Sequence, residues 1–319
     1  MYNDQLIWQE REALLPEEYR INQENEPLER FIYRKNWKIH LDHYKNPNGK
    51  AKIILLHGVG GNGRVLSFIA VPLHRAGFEL IVPDLPGYGY SEGNKKKVTY
   101  TDWVDLASHL IDREKSKDDR PLFVFGLSAG GMLAYHVAAM NPEVNGVIAT
   151  NLLDQRNRKV RDYSSLNKVL SRLGIPMLKL LSKIDGNIML PMKAVANMKA
   201  IVNNPKMLKI LLSDKTASGT RVPVNFIISL ISANPAIEPD NFEIPVLMVH
   251  PEFDEWTPVW ISKLFFDRIK GEKKLKILNK AGHFPIEKPG IDQLPVYVEE
   301  FVDRVLNSPS TVAQGPKRR

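Results

Sequence analysis

One strand–turn–helix segment constrains the fold of this chain more than any other feature. Residues 121–125 form an apolar run of strand length, and residues 131–140 have the pattern of a helix that Asn141 and Pro142 end. Between them lies the motif G-x-S-x-G at residues 126–130. Its glycines lack a Cβ and leave room for a sharp turn. This context predicts a strained turn that presents the Ser128 hydroxyl as a nucleophile, so we expect an enzyme.

Apolar runs that alternate with helical patterns surround this segment. Such alternation predicts an α/β fold with a mostly parallel sheet that helices cover on both faces. Two runs with polar–apolar alternation, 31–34 and 37–44, predict an antiparallel edge. The other predicted strands are 53–56, 78–84, 144–150, 246–249 and 275–278, and the other predicted helices are 65–75, 101–115, 260–269 and 294–306.

The pattern changes along the chain and suggests a division into parts. Residues 1–28 are polar and weakly patterned, and we expect a helical or loose extension. The α/β alternation occupies 29–154 and resumes over 241–307, which predicts one core. Residues 155–240 are helical and rich in Leu, Ile, Met and Lys, which predicts a cap inserted over the carboxyl edge of the sheet. Residues 308–319 are expected to be a disordered basic tail.

The composition excludes several classes of protein. The 319 residues contain no cysteine, so neither a disulfide framework nor a cysteine metal site is expected. No secretory signal and no long apolar span is evident, so we expect a cytoplasmic protein without a membrane segment. The net charge is +8, but apart from short basic runs the lysines are dispersed and no nucleic-acid motif accompanies them. We therefore expect no nucleic-acid partner. The oligomeric state stays open.

A serine nucleophile needs a base within hydrogen-bond reach and a carboxylate that orients the base. On a fold of this kind these residues occur in the order serine, acid, histidine. His283 lies in the loop after the last strand-like run and is the predicted base. His250 also follows a late strand, but it comes too early for the acid to precede it.

The acid is expected in the loop after the run 246–249. Asp254 is our choice there, and Glu252 and Glu255 are its rivals. Asp154, which follows an earlier strand, is a further alternative. An oxyanion hole requires preorganised N–H donors. The backbone amides of Ala129 and Val59 are the predicted donors.

Several motifs in one order give the chain a resemblance to the α/β-hydrolase superfamily. It is similar to the lysophospholipase and monoacylglycerol-lipase-like group of serine hydrolases, with Leu127 and Ala129 where His and Met are frequent. The resemblance implies an eight-stranded, mostly parallel sheet, a Ser-His-Asp triad, a helical cap and no cofactor. The motifs that carry it are His57-Gly58 with Gly60-Gly61, residues 84–91 (D-L-P-G-Y-G-Y-S), residues 126–131 (G-L-S-A-G-G), Asp254 with Pro258, and Gly282-His283-Phe284.

Three other interpretations stay open. Residues 58–63 also satisfy G-x-G-x-x-G, with Asp84 placed near where a ribose-binding acid would lie, which is typical of a dinucleotide-binding oxidoreductase. His40, Asp42 and His43 resemble metal ligands, although a strand would point His43 to the opposite face, so we expect no metal site. A non-catalytic binding protein with a hydrolase-like fold is the third interpretation. Ser128 in place of an aspartate argues against dehalogenase or epoxide-hydrolase chemistry.

The proposed cap suggests the substrate. Residues 177–184 and 189–199 combine Met and Leu with lysines, which favours a pocket for an acyl chain and contact of the lysines with anionic lipid. Packing of the cap onto the core would produce the same composition. We expect hydrolysis of a medium- or long-chain carboxylic ester, of the monoacylglycerol or lysophospholipid type, through an acyl-enzyme intermediate. A lactone, thioester or amide would use the same residues.

Overall fold

The central feature of the computed structural model, which describes residues 1–166 and 168–308, is a single large β-sheet. The strands are β1 (Leu28–Arg34), β2 (Trp37–Tyr44), β3 (Lys52–Leu56), β4 (Glu79–Pro83), β5 (Leu122–Gly126), β6 (Gly146–Ala149), β7 (Met189–Pro191), β8 (Arg221–Pro223), β9 (Val246–Pro251) and β10 (Lys273–Leu278). Eight of them form one sheet in the order β1-β2-β4-β3-β5-β6-β9-β10. β1 and β2 pair antiparallel, as do β2 and β4, and the remaining pairs are parallel. The predicted eight-stranded, mostly parallel sheet with an antiparallel edge is confirmed.

Helices follow the strands and cover the sheet. They are α1 (Leu6–Glu12), α2 (Ser67–Arg75), α3 (Tyr100–Lys115), α4 (Ala129–Ala138), α5 (Arg158–Ser164), α6 (Ile175–Asp185), α7 (Met192–Val195), α8 (Pro205–Ser213), α9 (Val224–Ile231), α10 (Val259–Phe266) and α11 (Gly290–Asn307). Every residue of β3, β4, β5, β6 and β9 is buried. Since a strand points its side chains to both faces, full burial means that both faces of these strands are covered.

The N-terminal segment packs against the core despite its polar composition. Tyr2, Trp8, Leu15 and Tyr19 are buried. The hydroxyl of Tyr2 donates a hydrogen bond of 2.8 Å to Asp84, at the end of β4. A few widely spaced aromatic residues therefore attach this segment, which is why its periodicity is weak.

The chain between β6 and β9 contains α5 to α9. It also contains a two-stranded antiparallel sheet of β7 and β8, where the sequence suggested helices alone. Residues 155–240 remain the proposed extent of the cap. Residues 309–319, most of the predicted basic tail, lie outside the described residues. Among the residues that the structure describes, no helix has both the length and the apolar character to cross a lipid bilayer.

Candidate active site

The turn between β5 and α4 holds Ser128 in a strained conformation. Its φ is 57° and its ψ is −124°, a region that non-glycine residues rarely occupy. The flanking glycines make the turn sterically feasible: a Cβ on Gly126 would overlap the carbonyl oxygen of Gly130, and a Cβ on Gly130 would overlap the carbonyl oxygen of Leu56. The serine therefore lies at the carboxyl edge of the sheet, at the start of a helix.

The structure brings Ser128, His283 and Asp254 into one hydrogen-bonded series. The Ser128 hydroxyl lies 2.9 Å from Nε2 of His283, and Nδ1 of His283 lies 2.8 Å from Oδ2 of Asp254. The three side chains come from the loops after β5, β9 and β10. A neutral imidazole with its proton on Nδ1 satisfies both contacts, because it donates to the carboxylate and accepts from the hydroxyl.

Asp254 is held as a carboxylate by several donors. Its Oδ1 accepts from the backbone amides of Trp256 at 3.0 Å and Thr257 at 2.8 Å, and its Oδ2 accepts from the Thr257 hydroxyl at 2.9 Å. Burial alone would raise the pKa of Asp254, but the adjacent His283 and these hydrogen bonds outweigh burial and lower it well below its usual value. Asp254 is therefore ionised at neutral pH.

The alternative acids and the second histidine occupy other positions. Glu252 and Glu255 are exposed, and Asp154 forms an ion pair of 2.9 Å with Arg156. His250 is buried behind Asp254, with Nδ1 donating to the carbonyl of Pro251 at 2.8 Å. Of the carboxylates considered from the sequence, Asp254 is the one that contacts His283.

Two polar residues that the sequence analysis did not single out connect the serine turn to the acid. The amide of Ser128 donates to the Thr150 hydroxyl at 2.9 Å, and that hydroxyl donates to Oδ1 of Asn151 at 2.7 Å. Nδ2 of Asn151 then donates to Asp254 at 3.2 Å and to Nε2 of His250 at 3.1 Å. The sequence feature that could have indicated these two residues is their position: a Thr-Asn pair directly after the buried strand β6, at the sheet edge where Ser128 lies.

The glycine-rich loop after β3 packs against the serine turn. A Cβ on Gly58 would lie 3.0 Å from Cβ of Ser128 and 3.2 Å from the Ala129 nitrogen, so only glycine permits this approach. The amides of Val59 and Ala129 donate no hydrogen bond within the described part of the chain, and both residues line the cavity beside Ser128. They remain the proposed oxyanion donors.

His57 holds the same loop in place. Its Nε2 accepts from the amide of Leu85 at 3.0 Å, and its Nδ1 lies 2.8 Å from the carbonyl oxygen of Gly58. Burial lowers the pKa of His57 to about 4, which keeps the imidazole neutral. His57 therefore connects two loops. It is not hydrogen-bonded to Ser128, His283 or Asp254.

Asp84, the acid on which the dinucleotide-binding interpretation depended, has a structural role in this fold. Asp84 is fully buried and accepts from the amides of Gly63 at 2.7 Å and Tyr90 at 2.8 Å, in addition to the Tyr2 hydroxyl. A carboxylate engaged in this way joins the loops after β3 and β4. The buried Asp84 carboxylate is not accessible to a ribose.

The residues that resembled metal ligands surround an arginine. Ligand atoms of Glu29, His40 and Asp42 lie within 4.8 Å of one another. The Arg64 guanidinium, however, donates to both oxygens of Asp42 at 2.6 and 2.7 Å and to Glu29 at 2.7 Å. It supplies the positive charge that this cluster needs, and a metal ion would have to displace it. His43 is directed elsewhere and contacts Glu79 at 2.6 Å.

A cavity of about 210 Å³ opens beside Ser128. Its walls are mainly apolar, and α6 and α9 contribute many of the side chains. Residues of the proposed cap therefore form most of the cavity wall. The apolar lining includes Val59, Ile175, Leu178, Leu190, Phe226 and Ile227.

This sheet, with a strained serine hydrogen-bonded to a histidine and an aspartate at its carboxyl edge, defines a serine hydrolase of the α/β-hydrolase superfamily. Residues 47–287 match the family described as serine aminopeptidase, S33, and the chain belongs to that family. The resemblance inferred from the motifs is thus confirmed, as is the expectation of an enzyme.

Several curated proteins that resemble this chain are esterases or lipases. The thermostable monoacylglycerol lipase of a Bacillus species is 29% identical over 104 residues, which are 33% of this chain and 41% of that protein. The chain thus matches less than half the length of this relative. A pimeloyl-[acyl-carrier protein] methyl ester esterase of Neisseria meningitidis is 23% identical over 271 residues, covering 83% of this chain and 80% of the relative.

Solved structures share the fold at low sequence identity. A soluble variant of the monoglyceride lipase of Saccharomyces cerevisiae, in complex with a substrate analog, superimposes with a TM-score of 0.74 at 17% identity and covers 89% of this chain and 97% of its own. The monoacylglycerol lipase of Paleococcus ferrophilus gives 0.67 at 22% identity, with coverage of 83% and 98%. These likenesses establish the architecture.

Proposed function

We propose that this chain hydrolyses a carboxylic ester with a medium- or long-chain acyl group, of the monoacylglycerol or lysophospholipid type. The observation that carries the proposal is the apolar cavity that begins at Ser128 and continues under α6 and α9. An apolar, largely preformed pocket next to a nucleophile suits an acyl chain. The esterases and lipases among the relatives agree with this chemistry.

The proposed reaction has two steps. Ser128 Oγ attacks the ester carbonyl while His283 Nε2 takes the hydroxyl proton, and the amides of Val59 and Ala129 bind the oxyanion. The imidazolium then protonates the leaving alcohol, which leaves an acyl-enzyme. A water that gives a proton to His283 then attacks the acyl-enzyme ester, and the imidazolium returns this proton to Ser128 Oγ as the acid is released. Asp254 orients the imidazole and stabilises its charged form throughout.

A labelling experiment tests the nucleophile. A fluorophosphonate probe should label the wild-type chain, and Ser128→Ala should abolish the labelling. Ser116→Ala, which changes an exposed serine at the end of α3, serves as the matched control and should be labelled like the wild type. Labelling of the Ser128→Ala variant at the wild-type rate would show that another residue is the nucleophile.

A chain-length profile tests the substrate class. We expect kcat/KM for p-nitrophenyl esters to rise from acetate to chains of about eight carbons or more, because each buried methylene contributes roughly 0.8 kcal/mol at most. A sharp preference for acetate would refute the acyl-chain pocket. Hydrolysis of a lactone, thioester or amide in preference to matched esters would support the alternative acyl substrates.

The outer face of α6 supports contact with a lipid surface. Met177, Leu180 and Ile184 of α6, together with Leu173 just before it, follow one another at helical spacing and are 62–77% exposed. The exposed Lys179 and Lys183 accompany them on α6, which suits an anionic membrane surface. We expect sedimentation with vesicles that contain phosphatidylglycerol and loss of this binding in Leu180→Ser. Equal vesicle binding by the wild type and by Leu180→Ser would refute the proposed lipid contact of this face.

The cytoplasmic location stays a prediction, which microscopy of a fluorescently tagged chain tests.

A further inference from the structure

The cavity beside Ser128 has one polar corner in its apolar wall. Gln155, Arg161, Ser164 and Ser165 line this corner. The amide of Gln155 donates to the Ser164 hydroxyl at 3.1 Å, so these two side chains partly satisfy one another. Arg161 is the charged residue of this corner.

Arg161 lies in the last turn of α5 and is half-buried. Its Nη1 donates to the carbonyl oxygens of Gln155 and Arg156, both at 2.7 Å. These contacts fix the guanidinium against the cavity wall. They engage neutral acceptors, which do not compensate its positive charge.

No carboxylate within residues 1–166 and 168–308 forms an ion pair with Arg161. The acids nearest in the chain have other partners: Asp154 pairs with Arg156 at 2.9 Å, and Asp162 pairs with Arg172 at 3.0 Å. A cation beside an apolar cavity is unfavourable unless something compensates its charge. A guanidinium is also the side chain whose fork of donors best matches carboxylate and phosphate.

We propose that Arg161 binds an anionic group, a phosphate or a carboxylate, on the ester substrate, so that this pocket selects negatively charged acyl esters over neutral ones. The inference rests on the proposed ester hydrolysis at Ser128 and narrows its substrate class. Of the two types named above, it favours the phosphate-bearing ester over the neutral monoacylglycerol.

Matched substrates test the selection. We compare 1-decanoylglycerol with its 3-phosphate, and methyl decanoate with monomethyl sebacate, so that the charge lies on the alcohol side in one pair and on the acyl side in the other. We expect at least a tenfold higher kcat/KM for the charged member of one pair. The responding pair identifies whether the pocket recognises a phosphate on the alcohol side or a carboxylate on the acyl side.

Variants separate charge recognition from support of the loop. Arg161→Gln retains an amide donor for the carbonyls and should lower kcat/KM at least tenfold more for the charged ester than for its neutral partner, which removes the preference. Arg158→Gln, an exposed position on the same helix, should retain the full preference. Equal rates for charged and neutral esters in the wild type, or an equal loss on both in Arg161→Gln, would overturn the proposal.

A binding measurement keeps this test independent of catalysis. Decyl phosphate and decanol are titrated into Ser128→Ala and into Ser128→Ala/Arg161→Gln by calorimetry. We expect tighter binding of the phosphate to the first protein and at least a tenfold loss in the second. Absence of ester hydrolysis together with this binding would reject the proposed reaction alone, whereas equal phosphate binding by both proteins would reject the role of Arg161.

Discussion

Replacing Asp254 by Asn tests the proposed triad most directly, because the two side chains have the same shape. The two backbone amides of Trp256 and Thr257 point at one oxygen, Oδ1, and cannot move away. The single oxygen of the asparagine should therefore stay with them. Its NH₂ group then faces His283, where the carboxylate accepted a hydrogen bond of 2.8 Å.

This substitution should reverse the imidazole tautomer. Nδ1 of His283 would have to accept a hydrogen bond from the amide, so its proton would move to Nε2 and face Ser128. An imidazole in that state cannot take the serine proton. Loss of the correct tautomer in a comparable triad lowers kcat by about 10⁴, which corresponds to roughly 5.5 kcal/mol of transition-state stabilisation.

The assay is hydrolysis of a p-nitrophenyl ester, with kcat and KM measured separately. We expect kcat to fall by about 10⁴ with KM changed less than about threefold, because Asp254 contacts His283 and not the acyl cavity. Glu255→Gln is the matched control, since Glu255 is exposed in the same loop, and it should retain wild-type kcat. A loss of less than tenfold in Asp254→Asn would refute the assignment, and the alternative acids would then be tested.

Three further predictions concern the supporting structure. Asn151→Leu removes a donor to Asp254 inside the fold and should lower kcat at least tenfold in the same assay; unchanged kcat would make this residue irrelevant to catalysis. Burial lowers the pKa of His136 to about 4. As the pH falls, the imidazole is therefore protonated in the unfolded chain before it is protonated in the folded one. This group should lower the free energy of unfolding by roughly 3 kcal/mol between pH 7 and pH 4. Urea titrations should show a smaller pH dependence of that free energy in His136→Gln. Gly126→Ala should destabilise the protein by about 3 kcal/mol or more, because its Cβ would overlap backbone atoms. Gly77→Ala, at a φ of 91° but with open space around it, should cost about 1 kcal/mol. Thermal denaturation measures both, and similar effects of the two variants would contradict the steric explanation.

The sheet and the residues that meet at its edge were accessible from the sequence for a physical reason. Buried parallel strands are short, continuous apolar runs, and chain order then places the loops after β5, β9 and β10 at one edge. A serine between two glycines, an aspartate and a histidine in those loops could therefore be predicted to converge. The sequence favoured Asp254 as the acid but did not exclude Glu252 and Glu255. These three residues lie in one loop and differ only in the direction that the loop backbone gives their side chains.

Residues that act through contacts distant in sequence required the tertiary structure. Thr150 and Asn151 have no motif of their own, and their link between Ser128 and Asp254 exists only because β6 lies between β5 and β9 in the sheet. The docking of the N-terminal segment through Tyr2 and the position of Arg161 at the cavity wall have the same origin. Local patterns determined the strands, the helices and the strained serine, since these depend on neighbours in the chain. Burial, charge compensation and the choice of hydrogen-bond partner were decided by the folded arrangement, because they depend on which distant residues share a space.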